Sequence, residues 1–413
     1  MDYKRKMIPE KHGIVRSDQM MIFNAREFEA RIENLVEVLR TRNIDAAVFN
    51  QSSDLYYYTG SVLPLYCVIP ANGKPFVLAR KSSARIEHDI THMSFEYFTG
   101  SKDLQNIWNH YSLVNAKKLA FILDAASYSS VTRMAQLSPG AAVEDISADV
   151  RFLRMIKSET EIAVQTRAGV LASKMTDVIC EKLTDGITEL EMSAHIEHAF
   201  RLSGNGVITS KQEGLVLASG VCSAGVNTLA GNKFDGICSG MGVSPALPFG
   251  ASFDVIPRNT PVLCDFGFVL DGYHVDITRM ASLGKPAQRV LDAYNAMCEI
   301  EKAVVASLKP GNSWESTYER ALAMADKSGL SDEFMGLGKE KVRFVGHGVG
   351  IQLDEPPFLA AKMPMQLAVN MVVAIEPKVS IPDVGVVGIE NTYVIREHGA
   401  ELLTAAPEEF III

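Results

Sequence analysis

The chain has 413 residues, 47% of them hydrophobic and 22% charged, with a formal net charge of −9. That length supports two or three domains with cores of their own, and the acidic balance argues against nucleic acid or an anionic membrane as partner. The start, MDYKRKMIPEKHG, has no apolar signal core and no run of 18 apolar residues follows, so neither leader nor membrane span is expected and the cytoplasm is the default location. Cys67, Cys180, Cys222, Cys238, Cys264 and Cys298 lack CxxC spacing and read as inert, buried thiols of a reducing compartment.

Residues 1–23 read as an irregular lead-in. Asn24 with Glu27 is a capping-box-like start for an amphipathic helix whose stripe is Phe28, Ile32, Leu35 and Leu39, ending near Asn43. Asp45 to Asn50 is a strand, and Tyr66 to Pro70 with Pro75 to Arg80 flank Asn72-Gly73, a hairpin signal. Further alternation through 95–98, 119–123 and a helix around 130–136 completes a mixed α/β domain of usual size. Tyr56, Tyr57, Tyr58 and the stretch 63–66 read as core packing rather than as substrate contacts.

A polar connector at 151–158 marks the domain boundary. Ser158-x-x-Glu161 opens a helix to about Thr184, with Gly186 as its stop, and Thr188-x-x-Glu191 opens another to Gly204. His195 and His198 share a helix face, but no third ligand stands at metal spacing, so they read as a solvated face. Residues 214–250 are rich in glycine and serine and fit no helix; a loop of that length in a compact domain is a lid or binding wall.

Pro261 to Arg279, PVLCDFGFVLDGYHVDITR, reads as a β-hairpin turning at Asp271-Gly272. That register sets Leu270 against Tyr273 and Asp265 against Thr278, making Asp265 and Asp276 diagonal neighbours on one face. Two such carboxylates can share cations and would otherwise repel. Helices are expected over 288–308 and 313–329. Downstream, His347 lies between glycines in FVGHGVG, and Glu376 and Glu390 are symmetric about Asp383, which sits in a Pro382 to Gly385 turn, so the two glutamates face each other across a second hairpin. Their flanks are apolar enough to be core, where an uncompensated charge costs several kcal/mol. Two Asp, one His and two Glu in such settings fit a dinuclear centre for borderline or hard divalent ions.

Asp265, Asp276, His347, Glu376 and Glu390 resemble the five ligands of the pita-bread metallopeptidases, family M24, which includes prolidase, aminopeptidase P and methionine aminopeptidase. The likeness runs from about Lys157 to the C-terminus, and the short gap between the glutamates is more similar to the proline-specific branch. The preceding part is similar to the N-terminal domain of creatinase and prolidase. The resemblance implies an α/β (α+β) architecture: a creatinase/prolidase-like domain over 1–155 and a pita-bread catalytic domain over 156–413, an antiparallel curved sheet covered by helices on one side with weak internal twofold symmetry. It implies two divalent ions (Mn²⁺, Co²⁺, Fe²⁺ or Zn²⁺), with Asp265 bridging them and Glu376 both ligand and proton shuttle. Two cations bridged by a water lower its pKa, present hydroxide and polarise a carbonyl. It further implies a homodimer, at whose seam the apolar tail 410–413 could pack, or the tail could plug its own sheet.

The chain departs from prolidase at several places. Phe249 stands where a histidine follows the glycine-rich loop, and Asp354 replaces a second histidine ahead of the retained Glu355 and Pro356-Pro357. Gly388 stands where prolidases often have arginine, and Asn391 where an aspartate is common. Phe249 and Asp354 are therefore the candidate substrate contacts. Asp354 could also do acid–base work; an ionised aspartate cannot donate to an oxyanion as histidine does. The expected activity is hydrolysis of small peptides or amides, Xaa-Pro dipeptidase or aminopeptidase-like. The alternatives are a non-peptide amide, a lyase of the dimethylsulfoniopropionate-cleaving kind, whose extra acidic ligand would fall at Gly267, and a non-catalytic binding protein, against which stand all five ligands.

Overall fold

The computed structural model describes residues 7–10, 13–16, 23–81, 83–206, 220–231 and 234–413. The chain divides into two compact units, Met1–Arg154 and Met155–Ile413.

In the first unit the helix Ala25–Thr41 starts where the sequence predicts, with the Asn24 side chain accepting from the Glu27 amide, and it buries Phe28, Ile32, Leu35 and Leu39. Six strands follow in the spatial order Ser94–Tyr97, Phe76–Ala79, Tyr66–Pro70, Ala46–Phe49, Lys118–Phe121 and Ala142–Asp145. The central pairs are antiparallel and the outer ones parallel, the pattern of crossovers made by helices. Tyr57 and Tyr58 lie buried in the helix Ser52–Thr59, as core.

The boundary between the units differs from the expected one in its local structure. The expected polar connector is helical through Met155, because Ser147–Met155 presents Val150 and Arg154 to the interior, and Arg154 pairs with buried Asp54 at 2.9 Å. The single helix expected from Ser158 is two, Glu159–Ala172 and Lys174–Lys182, divided at Ser173. Both expected capping boxes are present, Ser158 with Glu161 and Thr188 with Glu191.

The strands fall into three sets, linked by an antiparallel bridge between Thr278 and Glu390. Ile411–Ile412, Tyr273–Ser282, Val262–Leu270 and Gly220–Ala224 form one; Glu355–Ala360, Phe344–Gly348, Val372–Ile375, Asn391–Arg396 and Gly399–Leu402 form the second; Lys378–Ile381 and Gly385–Gly388 form a short ribbon. All pairs are antiparallel except the tail, whose Ile411–Ile412 runs parallel beside Ala281 and Ser282 and so extends its own sheet. Gly220–Ala224 is a strand inside the stretch expected to be loop; residues 214–219 of that stretch lie outside the described residues. Helices Gln288–Val305 and Trp314–Lys327 pack Tyr294, Met297, Ile300, Trp314 and Tyr318 into the core that backs these sheets. Among the described residues no helix is long and apolar enough to cross a membrane.

Candidate metal centre

Asp271 and Gly272 both take positive φ, 48° and 84°, as a two-residue turn of the primed type demands. The register is the one the sequence predicts: Leu270 opposite Tyr273, Asp265 opposite Thr278 and Gly267 opposite Asp276. Strand period 2 then sets both aspartates on one face. Asp276 is held by Thr392, whose hydroxyl accepts from the Asp276 amide and donates to its carbonyl, both at 2.9 Å.

Ile375 pairs with Asn391 and Lys378 with Gly388, so one register runs through both sheets and brings Glu376 opposite Glu390. Thr278 stitches this ribbon to the aspartate hairpin. It exchanges backbone hydrogen bonds with Glu390 at 3.3 and 3.4 Å, and its hydroxyl donates to Glu390 Oε2 at 2.8 Å. Behind them the buried Arg279 guanidinium donates to the carbonyls of Thr278 and Glu390 at 2.9 and 3.0 Å and to Asn391 Oδ1 at 2.8 Å. The backbone bearing the glutamate is thus fixed by a rigid fork.

His347, on Phe344–Gly348, brings Nε2 to 3.6 Å from Glu376 Oε1 and 3.9 Å from Glu390 Oε1. Its Nδ1 lies 3.2 Å from the Gly348 carbonyl. A carbonyl only accepts, so Nδ1 carries the proton and Nε2 offers its lone pair to the glutamate side. Asp276, His347 and Glu390, all buried, present ligand atoms within 4.8 Å of one another. Glu390 Oε1 is buried and has no hydrogen-bond partner among the described residues. A divalent cation fits there: three N/O donors of the right chemistry converge, and it would satisfy an oxygen that is otherwise costly to bury.

Asp265 and the second oxygen of Glu376 face a cation of the protein's own. The ammonium of Lys378, itself 1% exposed, lies 2.7 Å from Glu376 Oε2, 3.0 Å from Glu390 Oε2 and 3.2 Å from Asp265 Oδ2. Burial alone would lower the Lys378 pKa, but Asp265, Glu376 and Glu390 outweigh it and hold the ammonium well above the usual lysine range. Even so the site is short of positive charge. Burial first, then the neighbouring Glu390 and Asp265, pushes the Asp276 carboxyl well up, and burial raises Glu390 as well. His347, which burial would lower, is raised by Asp354, Glu376 and Glu390.

Sequence reasoning missed Lys378. The available signal was its position two residues after Glu376, hence on the same strand face, as a cation flanked by apolar Pro377 and Val379. It also missed Glu189, wholly buried, which accepts from the amides of Ala224 and Ser252 at 2.6 and 2.9 Å and from Ser223, Ser252 and Asn227 side chains, tying the Gly220–Ala224 strand down. Asp354 reaches 3.7 Å from His347 Nδ1, with its side chain 38% exposed. Phe249 packs edge-on against Phe234, ring centroids 5.7 Å apart. His195 and His198 are exposed on Glu189–Leu202, as expected. The cysteine reading needs amendment: all six are free, but Cys180 is exposed and Cys298 half-buried.

A family model for metallopeptidase family M24 matches residues 164–397, and one for the creatinase/prolidase N-terminal domain matches 31–156. The chain therefore belongs to metallopeptidase family M24, an enzyme class, with a creatinase-type domain ahead of the catalytic one. It is 26% identical over 387 residues to a Xaa-Pro dipeptidase of Pyrococcus furiosus, covering 92% of this chain and 99% of that protein. Among solved structures it resembles a prolidase from Pyrococcus horikoshii, with a TM-score of 0.76 at 24% identity over 92% of this chain and all of that one. It also resembles a Xaa-Pro dipeptidase from Bacillus anthracis, with a TM-score of 0.79 at 23% identity over 94% and 100% of the two chains. At those identities the two structures speak to the fold.

Proposed function

We propose that the chain is a divalent-cation-dependent hydrolase of amide or peptide bonds in small substrates, similar in its reaction to Xaa-Pro dipeptidases and aminopeptidases. The observation that carries this reading is the convergence of Asp276, His347 and Glu390 around the unpartnered Glu390 Oε1. Asp265 and Glu376 complete the proposed ligand set. A cation bound there supplies Lewis-acid polarisation of a scissile carbonyl and an acidified water. Glu376, with Oε1 on the His347 side, is the proposed proton carrier between water and leaving amine. Asp354 either shares that work or anchors a positive substrate group, and Phe249 supplies an apolar contact. Residues 1–155 and 156–413 are the proposed domains, and a homodimer in the cytoplasm accompanies the reading.

Supplied with Mn²⁺, Co²⁺, Fe²⁺ or Zn²⁺, the purified protein should release amine from a panel of Xaa-Pro dipeptides and small amides. Asp276→Asn and His347→Ala should lose at least about 100-fold in turnover together with bound metal. No turnover anywhere on the panel, with metal confirmed bound, would sink the hydrolase reading; an alkene product in place of amine would move it to a lyase.

A further inference from the structure

We propose that the Lys378 ammonium is a built-in cation standing in for one of the two divalent ions, so that each chain binds a single divalent ion, on the His347 side of the site. The inference rests on the hydrolase reading only in taking Asp276, His347 and Glu390 as ligands.

Three observations carry it. The first is how the carboxylate oxygens divide. Glu376 and Glu390 each turn Oε2 to Lys378, at 2.7 and 3.0 Å, and Oε1 toward His347 Nε2, at 3.6 and 3.9 Å. Asp265, which faces Thr278 across the hairpin, directs Oδ2 to the lysine at 3.2 Å. The two glutamates thus span two adjacent cationic positions, and the ammonium fills one of them.

The second is stereochemical. An ammonium has three N–H donors and finds three carboxylate oxygens, from Asp265, Glu376 and Glu390, each within hydrogen-bond distance. A divalent ion taking the same three oxygens would bind them at roughly 2.0–2.2 Å. The space bounded by those oxygens cannot hold both the ion and Nζ.

The third is that the backbone makes room for the lysine. Lys378 and Gly388 are register partners, and a Cβ on Gly388 would come 2.4 Å from Lys378 Cγ, 2.7 Å from its Cα and 2.5 Å from the Pro377 carbonyl oxygen. A Cβ at 388 would displace both the ribbon backbone and the lysine stem, so glycine there is compatible with the stem lying along the ribbon and Nζ reaching the three oxygens.

The test is metal content per chain, read independently of turnover. Wild type, Lys378→Met, Lys378→Gly and Asp276→Asn would be loaded with Mn²⁺, desalted, checked for native circular dichroism, and measured by plasma mass spectrometry and by the electron paramagnetic resonance line shape of the bound Mn²⁺. Wild type should carry one ion per chain with the signal of an isolated Mn²⁺. Lys378→Met, which keeps the stem and loses the charge, and Lys378→Gly, which opens the space, should each rise to two ions per chain with a spin-coupled signal. Asp276→Asn should fall to none. Two ions in wild type would overturn the proposal and leave the hydrolase reading intact, as would one ion in wild type and still one in both lysine variants. No ion in any of the folded proteins would overturn the ligand assignment itself, and this inference with it.

Discussion

Glu301 offers a quantitative test of the scaffold behind the site. It lies on the helix Gln288–Val305, is 2% exposed, and its Oε1 accepts from Asn391 Nδ2 at 2.9 Å and from the Tyr393 hydroxyl at 3.0 Å. Burial pushes its carboxyl from the usual 4.5 up to about 7, against the opposing hydrogen bond from Asn391. With the folded pKa above the unfolded one, the native protein keeps a proton that the unfolded chain has released. The associated stability is present in full below pH 4.5 and lost as pH rises through about 7. At about 1.4 kcal/mol per pKa unit, the loss is on the order of 3 kcal/mol. Glu301→Gln retains an acceptor for both bonds and removes the charge. It should match wild type near pH 5 and become the more stable protein by about 2–3 kcal/mol at pH 8. Urea unfolding at several pH values, read by Trp314 on a Trp108→Phe background, measures this in the unit that contains Glu301, since the chain has two tryptophans, one per unit. His274, which burial lowers to about 4, acts in the opposite sense: its contribution is present above 6.5 and lost as pH falls toward 4. It flattens the wild-type profile but cancels in the difference between the two proteins. Parallel profiles with a constant offset would refute the reasoning.

Two further perturbations probe packing and pairing. Gly388→Ala drives a methyl into the stem and backbone of Lys378 and should lower stability by about 1–3 kcal/mol, seen as a lower urea midpoint at unchanged slope. Lys157 and Glu355, each 1% exposed on its side chain, pair at 2.9 Å; Lys157→Met removes the ammonium from beside a buried carboxylate and should cost about 3–5 kcal/mol, largely recovered in Lys157→Met/Glu355→Gln.

The parts of the fold that local chemistry dictates were legible in the sequence. Asp271-Gly272 can turn a hairpin in one register only, and that register places Asp265 and Asp276 together whatever the rest of the chain does. The symmetry of Glu376 and Glu390 about Asp383, which takes φ 61° at the turn, is equally local. Part of what escaped is set by tertiary partners. Gly220–Ala224 has little intrinsic strand character and becomes a strand because Val262–Phe266 offers an edge and Glu189 anchors its end. The helical connector at 151–155 agrees with the propensity of Arg151, Leu153, Arg154 and Met155 and was obscured by its polar content, whereas the interruption at Ser173 carries no comparable local signal. Lys378 escaped for a different reason: a lysine in an apolar ribbon reads as a misfit until three carboxylates are seen to converge on it.

The charge balance of this centre bears on the substrate the proposed hydrolase would take. Any side chain at 388 begins with a Cβ 2.4 Å from Lys378 Cγ, 2.5 Å from the Pro377 carbonyl oxygen and 2.7 Å from Lys378 Cα, so the backbone of this ribbon calls for glycine there whatever stands at 378. The Lys378 ammonium is itself taken up by three protein carboxylates. With Asp354 as an acidic group 3.7 Å from His347, the site holds little positive charge to offer a substrate anion. The proposed hydrolase should therefore turn over neutral or cationic amides with higher kcat/KM than anionic ones of the same size, and a preference for the anionic amides would refute this electrostatic argument.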